Sequence, residues 1–375
     1  MLALLAAALM ARPLVLAHYM PWYESKPFSG QWGWHWTMNH FAPDSGALAS
    51  QFHPLIGPYD SADPDALECQ CLLMRLSGID GVLIDWYGIN DLYDYPRINR
   101  CTELMIREAQ RTGLKFGIVY EDQTLTNLIR SQKVKPQDAV RTGVDTMRWL
   151  EGHYFSQPGY LKEGGKPVLL VFGPQFYKDQ DWTTLFAGLD PKPAFFTELG
   201  RKGPSVGAFG WPEPQVGDQR SWSELAAFYA RAKSWPSSIG VAYPRFQDIY
   251  AQAGIHPSWG TIEDRSGKTY TDTLSMALKS GSPMVQIATW NDWGEGTQIE
   301  HSTEFGYRDL EATQLLTGGH FTPADLRLPV KLYELRKRLK SNAGAKRKLD
   351  KAAKMLGEGR ASAAARLLKE LENAT

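Results

Sequence analysis

Short apolar runs alternate along this chain with longer amphipathic stretches, and that order restricts it to folds built on a parallel sheet. The runs are Leu14–Tyr19, Gly81–Gly88, Lys115–Tyr120, Pro167–Phe172, Ala194–Thr197, Val206–Trp211, Ser238–Tyr243 and Met284–Ala288. Between them, helical spacing marks Asp65–Ser77, Ile98–Thr112, Gln137–His153, Trp182–Leu189, Ser221–Ser234 and Thr271–Lys279. Gly78 and Gly113 punctuate the first two helices, and a Ser-x-x-Glu pattern (Ser221, Glu224) suggests the start of the fifth. Eight strand–helix units predict an α/β fold, a closed (β/α)8 TIM-type barrel over 13–325. A doubly wound open sheet is the competitor, but no Gly-x-Gly-x-x-Gly follows the first strand.

The barrel does not use the whole chain. Residues 326–375 are Ala-rich, charged and free of strand signals. They predict a helical appendage of Leu328–Lys340, Ala345–Leu356 and Ala361–Leu371. Its basic run (Lys331, Arg336, Lys337, Arg338, Lys340) reads as a solvated face. At the other end, residues 1–12 form an apolar stretch that resembles a secretory signal and is too short to span a bilayer. The expectation is a secreted or periplasmic monomer. From Met20 to about Asp65 the chain lacks periodicity yet is rich in Trp, His and Tyr, as an ordered loop walling a cleft would be.

Formal net charge is zero, so neither nucleic acid nor an anionic membrane is expected as a partner. Cys69, Cys71 and Cys101 suit no disulfide pair or zinc site and are expected in the core; no metal or cofactor is predicted. Catalytic groups of a parallel barrel collect at the C-terminal ends of its strands. Here those ends carry Tyr19, Trp22 and Tyr23; Asp85, Trp86 and Tyr87; Glu121 and Asp122; Glu198; Trp211 and Glu213; Tyr243 and Arg245; and Trp290, Asn291, Asp292, Trp293 and Glu295. The first loop adds Trp34, His35 and Trp36. No Gly-x-Ser-x-Gly marks a serine nucleophile. Paired carboxylates beside Trp and Tyr platforms are what glycoside cleavage requires. One acid protonates the leaving oxygen, a second carboxylate acts across from it, and aromatic faces hold the sugar rings. Glu198, Glu213 and Asp122 could equally cap the helices that follow.

Trp290-Asn-Asp-Trp-Gly-Glu-Gly-Thr-Gln-Ile-Glu300 resembles the Trp-Asn-Glu-Trp-His-Glu-Gly-Thr-Gln-Ile-Glu motif of glycoside hydrolase family 99, the endo-α-mannosidases. Pro21-Trp22-Tyr23 and Gly78-Ile-Asp-Gly81, leading to Trp86-Tyr87-Gly88, are similar to the same family. Asp292 stands where that motif has Glu, and Gly294 where it has His; a looser 71/99-like group, with Trp-Asn-Asp-Tyr-Gly-Glu, is similar at these positions. Family 71 acts on α-1,3-glucan. The resemblance implies a (β/α)8 barrel and an endo-acting α-mannoside hydrolase. Asp292 would take the proton of the sugar's own 2-hydroxyl, giving a 1,2-anhydro intermediate, and Glu295 would serve as acid and then base. It also implies a sugar contact for Glu121 and a cleft-lining place for Trp86, while Asp85, at an opposed strand end, is a candidate partner carboxylate. The substrate is then an oligosaccharide or polysaccharide. The alternative is a glycan-binding or polysaccharide-biosynthesis accessory protein that keeps the cleft without turnover.

Overall fold

The structure is a computed structural model that describes residues 12–373; residues 1–11, where the export signal is expected, lie outside it. Eight parallel strands close on themselves: β1 (Leu14–Tyr19), β2 (Gly81–Trp86), β3 (Lys115–Tyr120), β4 (Lys166–Val171), β5 (Ala194–Glu198), β6 (Gly207–Phe209), β7 (Ile239–Ala242) and β8 (Met284–Ile287). Each pairs with the next, and β8 closes the ring against β1 through Leu14↔Met284 to Ala17↔Ile287. β2 ends at Trp86, leaving Tyr87 and Gly88 in the following loop, and β6 is shorter than its apolar run.

Helices α1 (Pro64–Leu76), α2 (Tyr95–Thr112), α3 (Ala139–Leu150), α4 (Asp179–Leu185), α5 (Asp218–Ala232) and α6 (Lys268–Leu278) pack outside the ring. Local chemistry sets their ends. The Asp63 carboxylate accepts from the Asp65 N–H ahead of Pro64, and α2 stops at Gly113 in the left-handed region (φ 79°). The Ser221 pattern does not begin α5. That helix starts at Asp218, and the Ser221 hydroxyl donates back to the Asp218 carbonyl. Helix α7 (Arg308–Thr317) goes beyond the sequence expectation, because its buried face is largely polar (Asp309, Thr313, Gln314, Thr317) and shows no apolar stripe.

Three C-terminal helices, α8 (Leu328–Arg338), α9 (Ala343–Gly357) and α10 (Ala361–Asn373), bury Leu332, Leu335, Leu349, Leu356 and Leu368 together with the outer core. Part of the basic run is paired with acidic groups at the start and along the face of α1. Arg336 forms a two-pronged contact with Glu68 of α1 (2.6 and 3.0 Å), and Lys337 reaches Asp63 (2.6 Å). Cys69, Cys71 and Cys101 are buried free thiols. Among the described residues no helix is long and apolar enough to cross a membrane.

Strand side chains alternate between two cores. Leu16, Leu83, Val119, Leu170, Phe196, Phe209, Ile239 and Met284 fill the lumen together. Val15, Ala17, Val82, Ile84, Ile118, Val171, Val285 and Ile287 face the helices. The next inward position on each strand therefore decides what lies on the barrel floor.

Candidate active site

Two residues beyond the lumen layer, the inward positions are His18 on β1, Asp85 on β2, Glu121 after β3, Phe172 after β4, Glu198 on β5, Trp211 after β6 and Gln286 on β8. Carboxylates from three strands thus point into one cup. Trp211 stands edge-on to His18 (4.8 Å between rings) and to Phe172 (4.9 Å), forming one wall. Gln286 lies near His18 Nδ1 (3.3 Å) and donates to the Gly210 carbonyl, which ties the floor together. Burial holds the His18 imidazole neutral, with its pKa lowered to about 4.

The segment after β8 supplies the remaining carboxylates. Thr289 N–H donates to the Thr297 carbonyl (3.0 Å), and Ile299 N–H donates to the Thr289 carbonyl (3.1 Å), so residues 290–298 form a clasped loop. Pins from β1 and the residues just after it orient the loop. Trp290 N–H donates to the His18 carbonyl; the Asn291 side chain accepts from Met20 N–H and donates to the Met20 carbonyl; the Tyr23 hydroxyl donates to the Asn291 carbonyl and accepts from Trp293 N–H. Gly296 (φ 67°) closes the loop where a Cβ would lie 2.7 Å from the Gln247 carbonyl oxygen, so only glycine fits. Asp292 accepts from the Glu295 N–H through Oδ1 (3.0 Å), which fixes the two acidic residues relative to each other.

Electrostatics separates the pair. Burial raises the Asp292 pKa to about 7, against backbone donors from Glu295 and Gly294 that lower it. Glu295 is raised well above the usual range by burial and then by the Asp292 charge. Burial thus favours the neutral form of both, and the Asp292 charge adds to that at Glu295. Asp85 is likewise raised by burial and by Asp292, Glu121 by burial and by Asp85, and Glu198 by burial to about 7. Asp85 is 2% exposed, and its Oδ1 has no protein partner, as expected of a group that meets a ligand. Glu295 is half-buried.

An aromatic cavity of about 590 Å³ adjoins the cup, lined by Trp22, Trp34, His35, Tyr87, Tyr93 and Tyr95 with Asp94, Arg97 and Asn127 among them. Trp22 stacks flat on His35 (4.2 Å, 8°), and its indole N–H is unpartnered. A cavity of about 780 Å³ lies elsewhere, between the α1–β2 turn and the C-terminal helices.

The glycoprotein endo-α-1,2-mannosidase of Mus musculus is 23% identical over 331 residues, covering 76% of this chain and 67% of the mouse protein. That of Xenopus laevis is 24% identical over 331 residues, covering 75% and 68%. The GH99 endo-α-mannosidase of Bacteroides thetaiotaomicron superposes with a TM-score of 0.64 at 19% identity, over 84% of this chain and 98% of that one, so the two share the barrel fold. No family profile matches the chain. The chain is a relative of the family 99 endo-α-mannosidases.

Within this family-99-like barrel, the expected site residues divide by which way they face. Asp85, Glu121, Trp211, Asp292 and Glu295 meet in the cup, and Trp22, Trp34, His35 and Tyr87 line its aromatic side. The others are corrections. Tyr19 and Trp86 fall on the outward strand positions: the Tyr19 hydroxyl donates to Gln70 of α1, and the Trp86 indole donates to Asn99 of α2 while stacking on Trp149 of α3 (5.6 Å). Trp36, Trp290, Asn291 and Trp293 have no exposed surface, and Tyr23 has 1%. They hold the loop instead, Trp36 and Trp293 through the Tyr59 carbonyl and hydroxyl. Tyr243 packs among Leu225, Val241, Phe246 and Ile262. Arg245 is spent on Asp264, Asp309 and the Gln298 carbonyl, with its guanidinium over Phe305 (3.8 Å).

Sequence reasoning left Glu198 as a possible helix cap, although its inward register on β5 was countable. Behind the site, Glu300 is 3% exposed and accepts from Tyr59 and Gln70 (both 2.7 Å), yet burial raises its pKa to about 7. The folded protein thus holds this proton more tightly than the unfolded chain. Its stabilising share is complete below about pH 4.5 and is lost as pH rises through about 7, on the order of 3 kcal/mol in all. Denaturant unfolding between pH 4 and 8 should fall less steeply in Glu300→Gln than in the parent.

Proposed function

We propose that this protein hydrolyses α-mannosidic linkages within glycans, with Asp292 as base and Glu295 as acid and then base. The observation that carries this reading is the fixed Asp292–Glu295 pair at the mouth of β8, where burial favours the neutral form of both and the Asp292 charge further favours protonated Glu295. Ionised Asp292 takes the proton of the sugar 2-hydroxyl. The resulting alkoxide attacks the anomeric carbon while Glu295 protonates the departing glycosidic oxygen. Glu295, now a carboxylate, next draws a proton from water as that water opens the 1,2-anhydro ring, and Asp292 returns its proton to the departing 2-oxygen. The pathway suits α-mannosides, whose axial 2-oxygen stands opposite the axial leaving group. In α-glucosides the 2-oxygen is equatorial and cannot reach that backside line.

Aromatic residues hold the chain on either side of the bond. Trp22→Ala should raise KM about tenfold with little change in kcat, because stacking that is equal in ground and transition states affects binding alone. The deciding experiment presents α-mannan and α-glucan oligosaccharides to the protein and reads products by anomeric proton NMR. Release of internal-cleavage products with retained configuration, from mannosides alone, supports the reading. Cleavage of α-1,3-glucan overturns the mannoside assignment. Glycan affinity by calorimetry with no product over days would instead favour the binding-protein reading, which the Asp292 and Gly294 departures motivate.

A further inference from the structure

We propose that Tyr250 is a positioning residue for Glu295, holding its carboxylate toward the cleft through the phenolic hydroxyl. The proposal rests on the reading of Glu295 as acid/base and adds a residue from a different element. That element is the excursion between two short paired strands, Phe246–Gln247 and Thr261–Ile262. It is tied directly to the catalytic loop: Gln247 N–H donates to the Glu295 carbonyl (2.8 Å), and Ile249 N–H donates to the Gly294 carbonyl (2.9 Å). Tyr250 is the next residue, so these backbone bonds bring its side chain alongside the acid.

Gly294 makes room for it. A Cβ built at Gly294 would stand 3.1 Å from Met38 Cε, 3.5 Å from Asp292 Oδ1 and 4.0 Å from the Tyr250 hydroxyl. The phenol thus occupies space over the loop, next to the position where the family motif carries a histidine side chain. Its ring is held from behind. Tyr250 packs on His256 (4.6 Å), His256 packs on Trp259 (4.7 Å), and Asp248 accepts from Trp259 N–H (2.7 Å) and the Ser258 hydroxyl (3.0 Å).

Charge explains why a donor is useful there. The groups that face Glu295 are Asp292 on its own loop, Asp248 and Tyr250 on the excursion, and Glu198 from β5. The three carboxylates all disfavour ionised Glu295, whereas a hydrogen bond donated by the Tyr250 hydroxyl, the contact inferred here, favours the charged form. Glu295 must be neutral to protonate the leaving oxygen and charged to activate water, so a donor that tempers its basicity serves the second half of the cycle.

Tyr250→Phe tests this, since it keeps the ring and removes only the hydroxyl. With the Glu carboxyl carbons labelled by carbon-13, and Glu295 assigned by its loss in Glu295→Gln, the Glu295 titration midpoint in Tyr250→Phe should rise by about one pH unit. The alkaline limb of kcat/KM should move with it, and kcat should fall about tenfold at unchanged KM. An unmoved midpoint in a variant with parental melting temperature overturns the proposal. The titration needs no turnover, so it reads Tyr250 separately from the function. A Glu295→Gln variant that keeps full activity would sink the acid/base reading, whereas an inactive one combined with an unmoved midpoint would sink this proposal alone. His256→Ala, which keeps the hydroxyl but loosens the stack, should shift the midpoint less than Tyr250→Phe; an equal shift would assign the effect to packing and also overturn it.

Discussion

Glu295→Gln is expected to lower kcat on a natural glycan by about a thousandfold, within the 10²–10⁴ range of a general acid–base group. The substitution keeps the side chain's volume, and the Glu295 backbone bonds to Asp292 and Gln247 do not involve the carboxyl. Melting temperature should therefore hold, which separates lost chemistry from lost fold. A dinitrophenyl mannoside sharpens the test. Its leaving group needs no proton, so the first step should recover much of its rate and the opening of the anhydro ring should become limiting. Unchanged hydrolysis of the natural substrate would remove Glu295 from the mechanism.

Asp292→Asn should cost a comparable factor, about 10²–10⁴, for a different reason. Asparagine retains an oxygen to accept the Glu295 N–H, so the loop geometry survives while the base is lost. An activated leaving group should not restore the rate, because the 2-hydroxyl still keeps its proton. The parent's activity should rise with pH through about 7 as Asp292 ionises and decline at higher pH as Glu295 loses its proton. Recovery of Asp292→Asn on a dinitrophenyl mannoside to the same degree as Glu295→Gln would show that the two roles are not divided as proposed.

Much of this site was legible in the chain because barrel chemistry concentrates at strand ends, and the ends of β2, β3 and β8 are visibly rich in Asp, Glu, Trp and Tyr. Adjacent residues at one strand end nevertheless have opposite fates. Asp85 and Trp86 are neighbours; one points into the cup and the other into the helical layer. Composition cannot separate them, whereas the two-residue alternation anchored on Leu83 does. The Trp290–Trp293 cluster misleads in another way. Its indoles look like sugar platforms, yet they are fully buried and hold the loop that carries the acids. The aromatics that line a cavity lie instead in the first loop and after β2, at Trp22, Trp34, His35 and Tyr87.

Sequence by itself determined the order of the eight strands, the parallel architecture and the two carboxylates after β8, because apolar periodicity and strand-end chemistry are local properties of the chain. Tertiary structure alone decided which aromatics line the cavity, how deeply Asp292 and Glu295 are buried among other carboxylates, and that Tyr250 follows the segment bonded to their loop. Facing depends on register around a closed ring, and acidity depends on burial and on charges brought together from distant strands; neither is encoded in any single stretch of residues.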